Sequence, residues 1–153
     1  MTGTPTYAYA LAGKRVWVAG HRVMVGSAVV HRLASEDCEI LTAGREELDL
    51  RRQAEVEAWV ASNKPHAIFL AAATVGGILA NSTYPGSFLY DNMMIVANVM
   101  EAERRSNVKR LLLFGSSCIY PKFAPQPIPE SALLTGPLGS SNENGMPSPR
   151  SPA

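Results

Sequence analysis

The stretch 16-VWVAGHRVMVGSAVV-30 decides how the rest of the chain is read. Residues 16–19 form an apolar run suited to a buried strand. The run meets Gly20, passes the polar pair His21 and Arg22, and enters an apolar segment that contains Gly26. A strand that bends at a glycine into a helix points unpaired amides and the positive end of the helix dipole at one corner, which suits a phosphate. In dinucleotide-binding turns one glycine makes the bend, one lets the diphosphate approach, and one lets helix pack on strand. Gly20 and Gly26 hold the first and third places of a G-x-x-G-x-x-G spacing, and Val23 holds the second. Its branched Cβ is expected to crowd a phosphate, and to be strained if the turn needs a positive φ there. A plain βα connection with two incidental glycines is the competing reading.

Three further apolar runs read as strands: 39–43 (EILTA), 67–71 (AIFLA) and 110–114 (RLLLF), after 15–19 (RVWVA). None alternates cleanly, as expected of strands buried on both faces. Helical patterns cover 24–34, 51–62 and 86–105. In the last of these, Met94, Ile95, Asn98, Val99 and Ala102 recur at helical spacing and are counted as its apolar face. Pro65 stops the second helix and Pro85 opens the third. The order β-α-β-α-β-α-β predicts an α/β fold, a doubly wound, Rossmann-type parallel sheet.

The chain has 153 residues, 46% apolar and 18% charged, with a formal net charge of +1. That is enough for one core and gives no basic surface for nucleic acid or an anionic membrane. No apolar run reaches the ~18–20 residues of a membrane span. Residues 1–13 lack the features of a signal peptide and read as a flexible leader. Two cysteines, Cys38 and Cys118, are too few for a disulfide scaffold or a thiolate metal site. A reducing, cytoplasmic setting is expected, with no metal. After residue 121 the chain carries most of its 11 prolines. Irregular structure is expected there, with disorder over 139–153.

In dinucleotide sites an acid at the tip of the second strand grips the ribose of NAD, whereas arginine accommodates the 2′-phosphate of NADP. Thr42, Ala43 and Gly44 place no carboxylate at that tip, while Arg45 follows and Arg22 lies in the first turn. The arginines favour NADP, a preference tempered by Glu46 and Glu47 close behind; solvated surface charge is their ordinary alternative. Ser116 and Cys118 follow the fourth strand, where ligands of such sheets lie. A ketone reduction needs a hydrogen-bond donor at the developing alkoxide, and an epimerisation needs acid/base groups. The ordinary alternatives are a small buried hydrophobe for Cys118 and a turn or cap for Ser116 and Ser117.

The segments GHRVMVGSA (20–28), AAATVGGILANSTYP (71–85), NMMI (92–95) and GSSCIYP (115–121) together resemble the GDP-L-fucose synthase family. That family lies among the extended short-chain dehydrogenases/reductases, in the NAD-dependent epimerase/dehydratase group. The resemblance covers about residues 14–138, which it implies to be an NADP-binding Rossmann domain. It implies NADPH-dependent 3,5-epimerisation and 4-reduction of GDP-4-keto-6-deoxy-D-mannose to GDP-L-fucose. On the cofactor it places Gly20, His21, Arg22, Val23, Met24, Val25 and Gly26 at the diphosphate. Arg45, Glu46, Glu47, Leu48, Asp49 and Leu50 border the adenosine, and Phe114, Gly115, Ser116 and Ser117 the nicotinamide. It implies that Ser116 hydrogen-bonds the C4 ketone and that Cys118 carries protons in epimerisation. The family has glycine at the position of Val23.

The family also uses a Y-x-x-x-K pair, a later acid/base histidine and a sugar-nucleotide-binding C-terminal domain, and it dimerises through the helix that carries the pair. Here the tyrosines at 7, 9, 84, 90 and 120 are followed four positions on by Leu11, Gly13, Phe88, Met94 and Ala124. Little or no turnover is therefore expected, and a non-catalytic dinucleotide-binding or interaction module is the alternative. Family members continue beyond an "NE" pair into a segment like YAIAKIAG. Gly145–Ala153 can be encoded as GGT ATG CCA TCG CCA AGA TCG CCG GCN, in which only the Met codon is forced and the others are permitted choices. Read two bases later, these codons give Tyr-Ala-Ile-Ala-Lys-Ile-Ala-Gly. The expectation is a frameshift near Asn144 and a truncated domain, with a genuine divergent tail as the alternative; a locus without that hidden frame on either strand ends the idea.

Overall fold

A computed structural model describes residues 9–137. The first part of the expected leader, residue 138 and the expected tail lie outside the described residues. The chain forms two compact units, whose described parts are 9–72 with 94–113, and 73–93 with 114–137.

The first unit holds the sheet. Its strands are β1 (Lys14–Ala19), β2 (Cys38–Leu41), β3 (Ala67–Leu70) and β4 (Arg110–Leu113). They lie in the order β2-β1-β3-β4, and every pair is parallel. Helix α1 (Met24–Leu33) joins β1 to β2, and α2 (Gln53–Asn63) joins β2 to β3. Alternate residues of β1 face opposite sides, as the two-residue strand period requires. Val16 and Val18 pack with Leu33 of α1, Ala67 and partly buried Phe69. Trp17 and Ala19 pack with Val56 and Val60 of α2, and with Ile95, Val99 and Ala102 of a later helix. Both faces of the sheet are therefore covered, which is the doubly wound arrangement. Trp17 also stacks on Trp59, ring centroids 4.5 Å apart. Full burial of each such side chain is worth about 1.5–3 kcal/mol.

The chain leaves β1 for β2 on one side and returns to β3 on the other. The C-terminal ends of β1 and β3 thus form a topological switch point, where ligands of open α/β sheets bind. Tyr9 and Leu11 of the expected leader pack against the Val16–Val18 cluster, so packing begins before Lys14. Helix α2 ends at Asn63, with Lys64 left-handed (φ 46°) ahead of Pro65.

In the second unit lie the short helix α3 (Ile78–Thr83) and the start of α4, which runs over Pro85–Ser106. Pro85 is the first residue of α4, where its missing N–H costs nothing. The segment 114–137 is irregular but for single 3₁₀ turns at Ser117–Ile119 and Glu130–Ala132. Among the described residues no helix is long and apolar enough to cross a membrane.

Candidate functional site

The turn from β1 to α1 is built by close approach. Gly20 has φ +89°, and a Cβ there would lie 2.5 Å from the backbone nitrogen of Ala72, just beyond β3. The Ala71 N–H donates to the Ala19 carbonyl at 2.9 Å, which seals the two strand ends together. A Cβ at Gly26 would run into the Gly20 carbonyl oxygen. The two glycines therefore do the two jobs assigned to them, a bend and a helix–strand contact.

Val23 caps α1 with φ −83° and ψ 161°. That is ordinary extended backbone, so the strain considered for this position is absent. Its amide donates to the Gly20 carbonyl at 3.2 Å, and its carbonyl accepts from the Ser27 N–H at 2.8 Å. No side chain caps the helix, and no acid stands in its first turn. The amides of Met24, Val25 and Gly26 open the helix with no intrahelical carbonyl behind them. A corner of this kind, with no acid in the first turn of its helix, can hold an anion. Met24 is exposed, and Val23 and Val25 are each over one-third exposed.

The segment after β2 lies beside this turn. Arg22 Nη2 pairs with Glu46 Oε1 at 2.9 Å, with both side chains about two-thirds exposed. A Cβ at Gly44 would strike the Glu46 carboxylate, so that side chain folds back over Gly44. The backbone N–H of Glu46 itself, and then Arg22, hold its carboxyl below the usual range. Sequence alone placed no carboxylate at the tip of β2; this fold-back puts one there from two residues beyond Gly44. Arg45 and Glu47 are exposed. Leu48 is in the core and Leu50 packs against it, so these two side chains anchor the segment. Asp49 is gripped by Arg51 through Nε at 2.9 Å and Nη2 at 2.7 Å. That clamp lowers the Asp49 carboxyl to about 2, against some desolvation.

The sequence pattern puts Asn98 on the apolar face of α4. It is indeed buried, yet its role is polar: Nδ2 donates to the Leu50 carbonyl at 2.9 Å. This bond ties the end of the 45–50 segment to the helix. A polar residue inside an otherwise apolar stripe was the available signal.

In the second unit, Ser116 and Cys118 are adjacent and both exposed. The Cys118 N–H donates to Ser116 Oγ at 3.2 Å. Ser116 thus serves as a turn cap while its own hydroxyl proton remains available to donate. Exposure removes the buried-hydrophobe reading of Cys118. Phe114 and Gly115 are exposed, and Ser117 opens the 3₁₀ turn. The same unit contains a pair unmarked by sequence reasoning. Asn92 of α4 accepts from the Thr74 N–H at 2.8 Å and donates to the Thr74 carbonyl at 3.0 Å. One side chain so fixes both backbone groups of the loop that follows β3. Among the described residues no group of three His, Cys, Asp or Glu could hold a metal ion.

The family model described as the NAD dependent epimerase/dehydratase family matches residues 16–145. A GDP-L-fucose synthase of Sinorhizobium fredii (strain NBRC 101917 / NGR234) is 61% identical over 135 residues, 88% of this chain and 43% of that protein. A GDP-L-fucose synthase of Escherichia coli (strain K12) is 48% identical over 134 residues, 87% of this chain and 42% of that protein. Among solved structures, a GDP-mannoheptose C4 reductase of Campylobacter jejuni with NADP bound is 32% identical, with a TM-score of 0.79. The match covers 90% of this chain and 41% of that one. The chain thus spans about two fifths of the length of the relatives it matches.

Proposed function

The chain belongs to the NAD dependent epimerase/dehydratase family, and on that premise we propose that it carries the NADPH-binding portion of a GDP-L-fucose synthase. The observation that carries this reading is the uncapped, glycine-hinged turn at the switch point, in a chain whose relatives include GDP-L-fucose synthases. The amides of Met24, Val25 and Gly26 would hold the diphosphate, with the α1 dipole behind them. Arg22 and Arg45 would face the 2′-phosphate, and the segment 45–50 would border the adenosine. NADPH, when bound, supplies the hydride that reduces the ketone.

Ser116 would donate its hydroxyl proton as a hydrogen bond to the C4 oxygen of a GDP-4-keto-6-deoxy sugar. The exposed Cys118 thiol would exchange protons at a carbon beside that ketone. Neither supplies the phenol that protonates the reduced oxygen, because no tyrosine here has lysine four residues on. Binding without appreciable turnover is therefore the predicted behaviour of this chain. The second reading is a non-catalytic dinucleotide-binding or interaction module. A cytoplasmic setting, with no nucleic-acid or membrane partner, belongs to the same proposal.

The test is titration of the purified chain with NADPH, followed by addition of the keto sugar nucleotide. Saturable binding with no GDP-fucose formed supports the proposal. Absence of binding overturns it, and ready GDP-fucose formation overturns the predicted lack of turnover.

A further inference from the structure

We infer that Glu46 sets the cofactor discrimination of this chain, by occupying Arg22 at the tip of β2. The inference rests on the dinucleotide reading above and adds a residue to it. Three observations meet at this carboxylate. It lies folded over Gly44, at the strand end where an acid would meet an adenosine ribose. It accepts from Arg22 Nη2 at 2.9 Å, the arginine that would otherwise face a 2′-phosphate. Both partners are exposed, so the pair is open to exchange rather than locked in the core.

The consequences differ for the two cofactors. A 2′-phosphate must displace the Glu46 carboxylate from Arg22 and then sit near its negative charge. An unphosphorylated ribose meets no such competition, and its hydroxyls can donate to the same carboxylate. Two arginines alone would give a strong preference for NADPH. The Arg22–Glu46 pair narrows that preference. Exposed pairs are weak individually, so the carboxylate acts as a displaceable counter-ion and not as a barrier.

The experiment measures dissociation constants for NADPH and NADH on the full chain, on Glu46→Gln and on Glu39→Gln. Glutamine keeps the length of Glu46 but removes the charge that competes for Arg22. Glu39 is exposed on β2, near its start, and its replacement changes net charge equally. The expected result for Glu46→Gln is NADPH binding about three- to tenfold tighter, with NADH unchanged or slightly weaker. Glu39→Gln is expected to leave the ratio unchanged. Binding of both cofactors with the same ratio in all three proteins overturns the inference and spares the dinucleotide reading. An equal shift in both glutamine variants also overturns it, since bulk charge then explains the effect. Failure of either cofactor to bind any of the proteins overturns the underlying reading and the inference with it.

Discussion

At the scale of residues, Val23 is the most informative departure from a dinucleotide turn. Its φ of −83° means that the backbone does not call for glycine at this position. What remains is volume, a branched side chain beside the amides that would meet a diphosphate. Valine is also a poor helix cap, and glycine a better one. Val23→Gly is therefore predicted to tighten NADPH binding by up to about tenfold, without loss of stability. Equal or weaker binding in a titration would remove the steric account. Gly20 and Gly26 were legible from spacing, because each does a job that only a missing Cβ permits. The position of the Glu46 carboxylate was not legible. It depends on a side chain folding back across Gly44, and strand-end patterns report only which residue types stand at the tip.

At the scale of elements, the segment 44–51 is held by two polar fixtures of different kinds. Asn98→Leu removes the donor to the half-buried Leu50 carbonyl, and leaving such a carbonyl unsatisfied costs about 1 kcal/mol. A lower urea midpoint is expected, with weaker binding of any adenosine-containing ligand; an unchanged midpoint would show that Leu50 is held by other means. The Asp49–Arg51 clamp works through pH. The folded carboxyl sits at about 2, below its ordinary 3.8. Its contribution is thus fully present above about pH 5, and is lost as pH falls toward 2. Asp49→Asn is predicted to flatten stability over that window by about 1 kcal/mol, discounted for partial exposure. Identical acid unfolding curves for the two proteins would contradict the clamp. The four strands and three longer helices were readable from apolar runs, prolines and glycines, with ends moved by one or two residues. Helix α3 escaped because six residues after a Gly-Gly pair show no periodicity. Asn98 was misjudged because burial and apolarity usually coincide at that spacing.

At the scale of the whole molecule, parallel pairing and burial on both sheet faces fix the switch point between β1 and β3. The strand order β2-β1-β3-β4 could not be read from one sequence, since apolar runs name strands but not their neighbours. Among the described residues the same order leaves β4 at a sheet edge, with Leu112 and Leu113 nearly half exposed. Along α4, Leu89, Met93 and Met100 are exposed at helical spacing. Unpaired edges and apolar stripes promote association. Concentration-dependent self-association is predicted on gel filtration, and a sharp monomeric peak at all concentrations would contradict it. The central claim is that the amides between Gly20 and Gly26 embrace a dinucleotide diphosphate. Amide hydrogen exchange, with and without saturating NADPH, tests it most directly. Selective slowing at residues 20–26 and 44–50 is the predicted result; slowing confined to other segments, with these amides unchanged, would contradict the claim.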